Sequence, residues 1–244
     1  MGQFFAKDYT GEPFRLFGPP HLIAIGIVVL INLILIRFGR RFPPRWRSPL
    51  RYTLAFILVF NEALWHWWNW ATGQWTIQTM LPLHLCSALI FLSALMLVTR
   101  SYLLYELVYF LGIAGASQAL ITPDAGRYGF PHFRFFQCII SHGSVVVAGV
   151  FMTTVERFRP FPRSILRVAV IANLYMVFVA IVNAIIGSNY LMIAYKPKTE
   201  WPTLFDLLPP WPWYIPVMEL IGLALALLLY LPFALRDRKA KSAA

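Results

Sequence analysis

Cys86 stands in the stretch LPLHLCSALI, residues 81–90, where an apolar run begins. A thiol becomes a nucleophile when a base takes its proton, and the base is a neighbour in space rather than in sequence. His142, on another apolar run at similar depth, is the base this pattern favours. His84 lies two residues before Cys86, so on a regular helix it points to nearly the opposite face. Pro82 marks a helix start, and a helix N-terminus favours the thiolate. An apolar setting opposes it, so a base is required. Glu62 or His66 can orient the imidazole. Asn183, Gln118 or Gln137 can donate to a tetrahedral oxyanion. Such a set performs acyl transfer through a thioester and calls for no cofactor.

Other chemistry is open to the same residues. A free cysteine is commonly a buried small hydrophobe. Cys138 lies four residues before His142 on one helical face, so the histidine can pair with either thiol. A Cys86–Cys138 disulfide would leave no free thiol. His66, His84 and His142 with Glu62 could make a three-histidine, one-carboxylate zinc site for a membrane hydrolase, with Cys86 as an alternative ligand.

These side chains need a scaffold that brings separate apolar runs together. The chain has 244 residues, of which 59% are hydrophobic and only 13% charged, with a mean hydropathy of +0.64. That composition indicates an all-α polytopic membrane protein forming one transmembrane domain over residues 1–244. Seven runs approach the ~20 residues a spanning helix needs: residues 21–38, 50–70, 82–98, 102–121, 135–155, 164–186 and 213–235. The first follows about twenty polar residues without a small-residue cleavage site, unlike a signal peptide. Two cysteines exclude a disulfide framework. The net charge of +11 is distributed between apolar runs, which argues against nucleic acid as a partner. Fifteen of the 21 lysines and arginines fall on one side of the seven-run layout. The positive-inside rule then puts the N-terminus outside and the C-terminus in the cytoplasm. Trp65, Trp67, Trp68, Trp70 and Trp75 crowd the outer end of the second run, as an interfacial belt would.

Ionisable groups within a bilayer are costly and tend to face the bundle interior. Glu62, His66 and Asn69 share one face of the second run, spaced by four and three. Cys86 enters the third run, Gln118 lies near the outer end of the fourth, and Gln137, Ser141 and His142 open the fifth. Asn183 and Glu219 sit near the outer ends of the sixth and seventh. Six helices thus offer polar groups at one level, which predicts a polar cavity in the outer half. Glu106 and Asn173 are the main polar groups in the inner halves.

The motifs VFNEALWHWWNW (59–70), LPLHLCSA (81–88), GASQALITPD (115–124), FPHFRFFQCIISHG (130–143) and IIGSNYLMIAYKP (185–197) resemble the YwaF-like family of bacterial integral membrane proteins. That family is similar to a eukaryotic transmembrane acyltransferase that moves acyl chains onto lysophospholipids through a cysteine. The resemblance implies a multi-helix fold in a bacterial inner membrane and a phospholipid or lysophospholipid substrate. It also implies a Cys86 nucleophile with His142 as base. Asn189 and Tyr190, in the last motif, join the substrate-binding candidates with His84.

Thr203 and Asp206 form a capping-box-like pair beside Leu204, Phe205, Leu207 and Leu208, as in a short interfacial helix over the outer mouth. Gly112, Gly115, Ala116 and Ala119 predict close helix packing. A non-catalytic transporter or lipid receptor would use the same cavity. It would need a polar path through the inner half, where polar residues are sparse.

Overall fold

The structure, a computed structural model, describes residues 2–197 and 207–242. Its helices are α1 (Pro19–Phe38), α2 (Pro44–Ala71), α3 (Leu85–Thr99), α4 (Tyr102–Ile121), α5 (Phe133–Thr154), α6 (Pro162–Ile186) and α7 (Tyr214–Ser242). Among the described residues there is no strand. Prolines sit in the first turns of α1, α2 and α6, where a missing N–H costs nothing. The capping pair expected at Thr203 and Asp206 lies outside the described residues.

Five helices, α1, α4, α5, α6 and α7, are long and apolar enough to cross a membrane. The chain is therefore a polytopic all-α membrane protein, but length and composition establish five of the expected seven crossings. The two exceptions have separate causes. Helix α2 has 28 residues, yet it buries Arg51, Asn61, Glu62 and Asn69 among its apolar positions. Helix α3 starts at Leu85 rather than Pro82, because Leu81–His84 form a turn. Its 15 residues rise about 22 Å, short of the ~30 Å hydrocarbon core.

Helix α5 is central, packing against α1, α2, α3 and α4. Close approach is licensed by small residues. A Cβ on Gly143 would meet Val28 of α1 at 2.9 Å, and one on Gly112 of α4 would meet Val145 at 3.0 Å. Residues Val108–Gly112 form a π-helical turn within α4 at that contact. The core between α2, α3, α4 and α5 is fully buried at Leu58, Met96, Leu97, Val108, Ala148 and Met152. Outward residues of α1, α6 and α7, such as Leu30, Leu174 and Leu228, are exposed, as lipid-facing positions are.

At the Arg100 end, ion pairs join the helices. Glu156 lies 2.8 Å from Arg100 and 3.9 Å from Arg51. Glu106 accepts from Ser164 at 2.6 Å and Arg167 at 2.7 Å, and Arg159 holds Asp237 at 2.7 Å. Glu106 is thus a structural tie between α4 and α6. Asn173 is exposed on α6 and bonds its own helix at the Ala169 carbonyl.

Candidate functional site

The start of α3 is held from two sides. The Tyr190 ring is fully buried. Its hydroxyl donates to the Ile77 carbonyl at 2.7 Å and accepts from the Leu81 N–H at 2.8 Å. The Tyr175 hydroxyl donates to the Leu83 carbonyl at 3.0 Å. Asn183 in turn anchors Tyr190: its amide donates to the Tyr190 carbonyl at 2.9 Å and accepts the Tyr190 N–H at 2.8 Å. Ser188 donates to the same Asn183 oxygen at 2.7 Å. Asn183 and Tyr190 therefore position the start of α3.

Cys86 is the second residue of α3, nearer the helix terminus than the run beginning at Pro82 suggests. It is partly exposed and its thiol is free. His84 precedes the helix and supplies no side-chain cap. The first N–H groups of a helix have no intrahelical partner, so Cys86 and Ser87 offer donors beside the thiol. His84 turns its ring onto Tyr190, with centroids 5.1 Å apart. Burial lowers the His84 pKa below the ordinary histidine value, with Asp124 opposing the shift.

His142 faces both thiols. Its Nδ1 lies 2.8 Å from the Cys138 carbonyl and 3.6 Å from the Cys138 sulfur. Cys86 also interacts with the ring through its side chain. A carbonyl only accepts, so Nδ1 carries the hydrogen and the neutral ring keeps its lone pair on Nε2. Cys138 is 2% exposed, with its thiol beside the nitrogen that has no lone pair to offer.

Glu62 is buried on α2, within the field of His142 and beside the Ser87 side chain. His66 stands beside it, with Nε2 3.8 Å from a Glu62 oxygen and Nδ1 accepting from the Trp75 indole at 3.1 Å. Below Arg134 a polar knot joins α2 to α5. Ser141 accepts from Asn61 at 2.6 Å and from Gln137 at 3.1 Å. The Gln137 side-chain oxygen accepts from Arg134.

The remaining candidate amides bond other partners. Asn69 spends its amide on the Trp65 carbonyl of its own helix at 2.8 Å. Gln118 is exposed and bonded to Thr122. Asn189 closes its own loop through Ala194 and Tyr195. Glu219 is exposed on α7. The level shared by six helices thus contracts to a cluster on α2, α3 and α5, because amides bond their own backbone when one is in reach. No group of three histidine, cysteine or acidic side chains that could hold a metal ion occurs among the described residues, so the zinc set does not assemble.

Four residues were missed by sequence reasoning: Ser87, Arg134, Asn61 and Tyr175. Arg134 had a readable signal, since it precedes Cys138 and His142 by four and eight residues on one helical face. Tyr175 had none, because its partner is a turn carbonyl 92 residues away.

No curated protein and no solved structure matches the chain. A family model does, over residues 16–230, nearly all of the helical bundle and every site residue above. Its name is not the YwaF-like one suggested by the motifs, and that name specifies no activity. With that match covering most of its length, the chain belongs to the TMEM164 family of transmembrane proteins.

Proposed function

We propose that this protein is a membrane-embedded enzyme that transfers or hydrolyses acyl groups on phospholipids, with Cys86 as nucleophile and His142 as base. One observation supports the reading: His142 commits Nδ1–H to the Cys138 carbonyl, which leaves Nε2 free for a second thiol, and the Cys86 side chain is near enough to act on the ring.

The chemistry follows from those positions. Nε2 takes the Cys86 proton, and the thiolate attacks the ester carbonyl of the donor lipid. The oxyanion meets the free N–H groups of Cys86 and Ser87, and the α3 dipole adds to their field. The carbon–oxygen bond breaks, the imidazolium protonates the departing lysolipid alkoxide, and a thioester remains. A hydroxyl from a lysophospholipid, or water, then gives its proton to Nε2 and attacks the thioester. The oxyanion collapses, the carbon–sulfur bond breaks, and Cys86 recovers its proton. Glu62 stabilises the imidazolium in both steps. In this reading all seven helices cross the membrane, with the N-terminus outside and the C-terminus in the cytoplasm of a bacterial inner membrane.

The test uses the full chain in nanodiscs with acyl-labelled phospholipid. Cys86→Ala and His142→Ala should each abolish release or transfer of label. Mass spectrometry should find a hydroxylamine-sensitive acyl group on the Cys86 peptide. Turnover unchanged in both variants would sink the mechanism.

A further inference from the structure

The site contains a cation that the reaction above does not use. Arg134 lies in the first turn of α5, partly buried, with its guanidinium 4.1 Å from the centre of the Trp65 ring. Its two hydrogen-bond acceptors are neutral: the Gln137 side-chain oxygen and the Asp124 backbone carbonyl, the latter at 2.9 Å. Its charge acts on Glu62 and on Cys138, yet no carboxylate lies within salt-bridge distance of it among the described residues. A guanidinium has five N–H donors in a planar fork, so donors remain free. Contrast the Arg100 end, where the arginines that meet a buried carboxylate touch it directly.

The spacing gives this cation a direction. Arg134, Cys138 and His142 are one turn apart on a single face of α5, each step about 6 Å along the axis. The His142 ring reaches back toward the Cys138 carbonyl, while Arg134 reaches forward to Gln137. Arg134 is near the helix start, at the level where aromatic belts and headgroups sit, and the histidine is deeper. A glycerophospholipid has the same layout: an anionic phosphate at the interface and ester carbonyls a few bonds deeper. Trp65 holds the guanidinium flat and limits the freedom it must lose on binding.

We infer that Arg134 is the anchor for the lipid phosphate, holding the glycerol backbone so that its acyl-bearing oxygen meets Cys86. This deepens the acyl-transfer reading and rests on it for the role of Cys86, though not for binding. Arg134 is a positioning residue that selects phosphate-bearing lipids over neutral glycerides.

The experiment separates binding from turnover. Full-length protein in detergent is titrated with lysophosphatidylcholine and with a monoacylglycerol of the same chain, in wild type and in Cys86→Ala. Arg134→Gln should weaken lysophosphatidylcholine by at least about tenfold and leave monoacylglycerol within about twofold. Arg134→Lys, which keeps the charge but loses the fork and the stacking, should fall between. Loss of both lipids alike in Arg134→Lys, or no change for either lipid in Arg134→Gln, would overturn the assignment. Phosphate selectivity that depends on Arg134, combined with turnover that survives Cys86→Ala, would keep the anchor and discard the thiol mechanism. Turnover that requires Cys86, without phosphate selectivity, would do the reverse. Inorganic phosphate serves as the free-anion arm. Displacement of lysophosphatidylcholine only when phosphate is far above the lipid's own concentration supports a headgroup site. Equal potency would mean a free-phosphate site and overturn the lipid anchor.

Discussion

The two ends of the bundle handle charge in opposite ways. At the Arg100 end, buried carboxylates are in contact with arginines: Glu156 with Arg100 and Arg51, Glu106 with Arg167 and Ser164. These pairs tie α2, α4 and α6 to the ends of α3 and α5. At the Cys86 end, Glu62 has a histidine at 3.8 Å, and Arg134 is bonded to neutral oxygens. Direct pairing satisfies a charge and fixes geometry. A charge left without a direct counter-ion keeps a field that a reacting group or a ligand can use. The packed apolar core between the ends, from Leu58 to Met152, separates the two regimes.

The largest effect that tests this contrast lies at the paired end. Glu156→Ala leaves Arg51 buried without its carboxylate, and should lower stability by about 3 kcal/mol. Arg100 is 52% exposed and rehydrates, which keeps the loss at the low end. Reversible unfolding in detergent measures it. Full stability together with lost turnover would erase the distinction between the ends.

At the Cys86 end the signature should invert. Glu62→Gln keeps the shape and the Ser87 contact while removing charge that favours the imidazolium. Turnover should fall about tenfold, as one pKa unit of lost stabilisation gives. The melting temperature should stay near that of wild type. A fall in stability without a fall in turnover would make Glu62 a structural group like Glu156.

A third test concerns how the N-terminal segment is tied over this end. His132 is fully buried; its Nε2–H donates to the Ala6 carbonyl at 3.1 Å and its Nδ1 accepts the Arg134 N–H at 3.0 Å. Trp68 adds a bond from its indole to the Phe5 carbonyl at 3.0 Å. Burial holds the His132 pKa below its ordinary value of 6.5; the Ala6 carbonyl opposes this, and the Arg134 charge adds to it. The released segment therefore binds more protons in the window just below that value. The clasp is fully held above about pH 6.5 and weakens as pH falls toward the lowered pKa. A spin label at Thr10→Cys, with both native thiols replaced by serine, should gain mobility on that descent. The pH dependence should vanish in His132→Gln. Mobility constant with pH in the His132 protein would remove the clasp.

The smallest effect should come from Cys138→Ser. Its thiol faces the occupied Nδ1, so turnover should stay within about threefold of wild type. A loss matching that of Cys86→Ala would hand the nucleophile's role to Cys138.

Much of this was legible in the chain. Apolar runs separated by arginines and prolines determine a polytopic helical membrane protein, because only helices satisfy their backbone within one apolar segment. Periodicity places Glu62 beside His66, and Arg134, Cys138 and His142 on one face, since a helix fixes neighbours at three and four residues. Periodicity does not say what a polar side chain bonds. Asn69, Gln118 and Asn189 read as site residues, and each is taken by local partners. Helix rotation and the long-range turn contacts of Tyr175 and Tyr190 come from packing between distant segments. Those contacts end the turn at His84 and put Cys86 in the first turn of α3, beside a histidine more than fifty residues away. Which nitrogen of His142 stays free is set by a carbonyl one turn back on its own helix, whereas the approach of Cys86 to that ring depends on how α3 packs against α5, which tertiary structure alone decides.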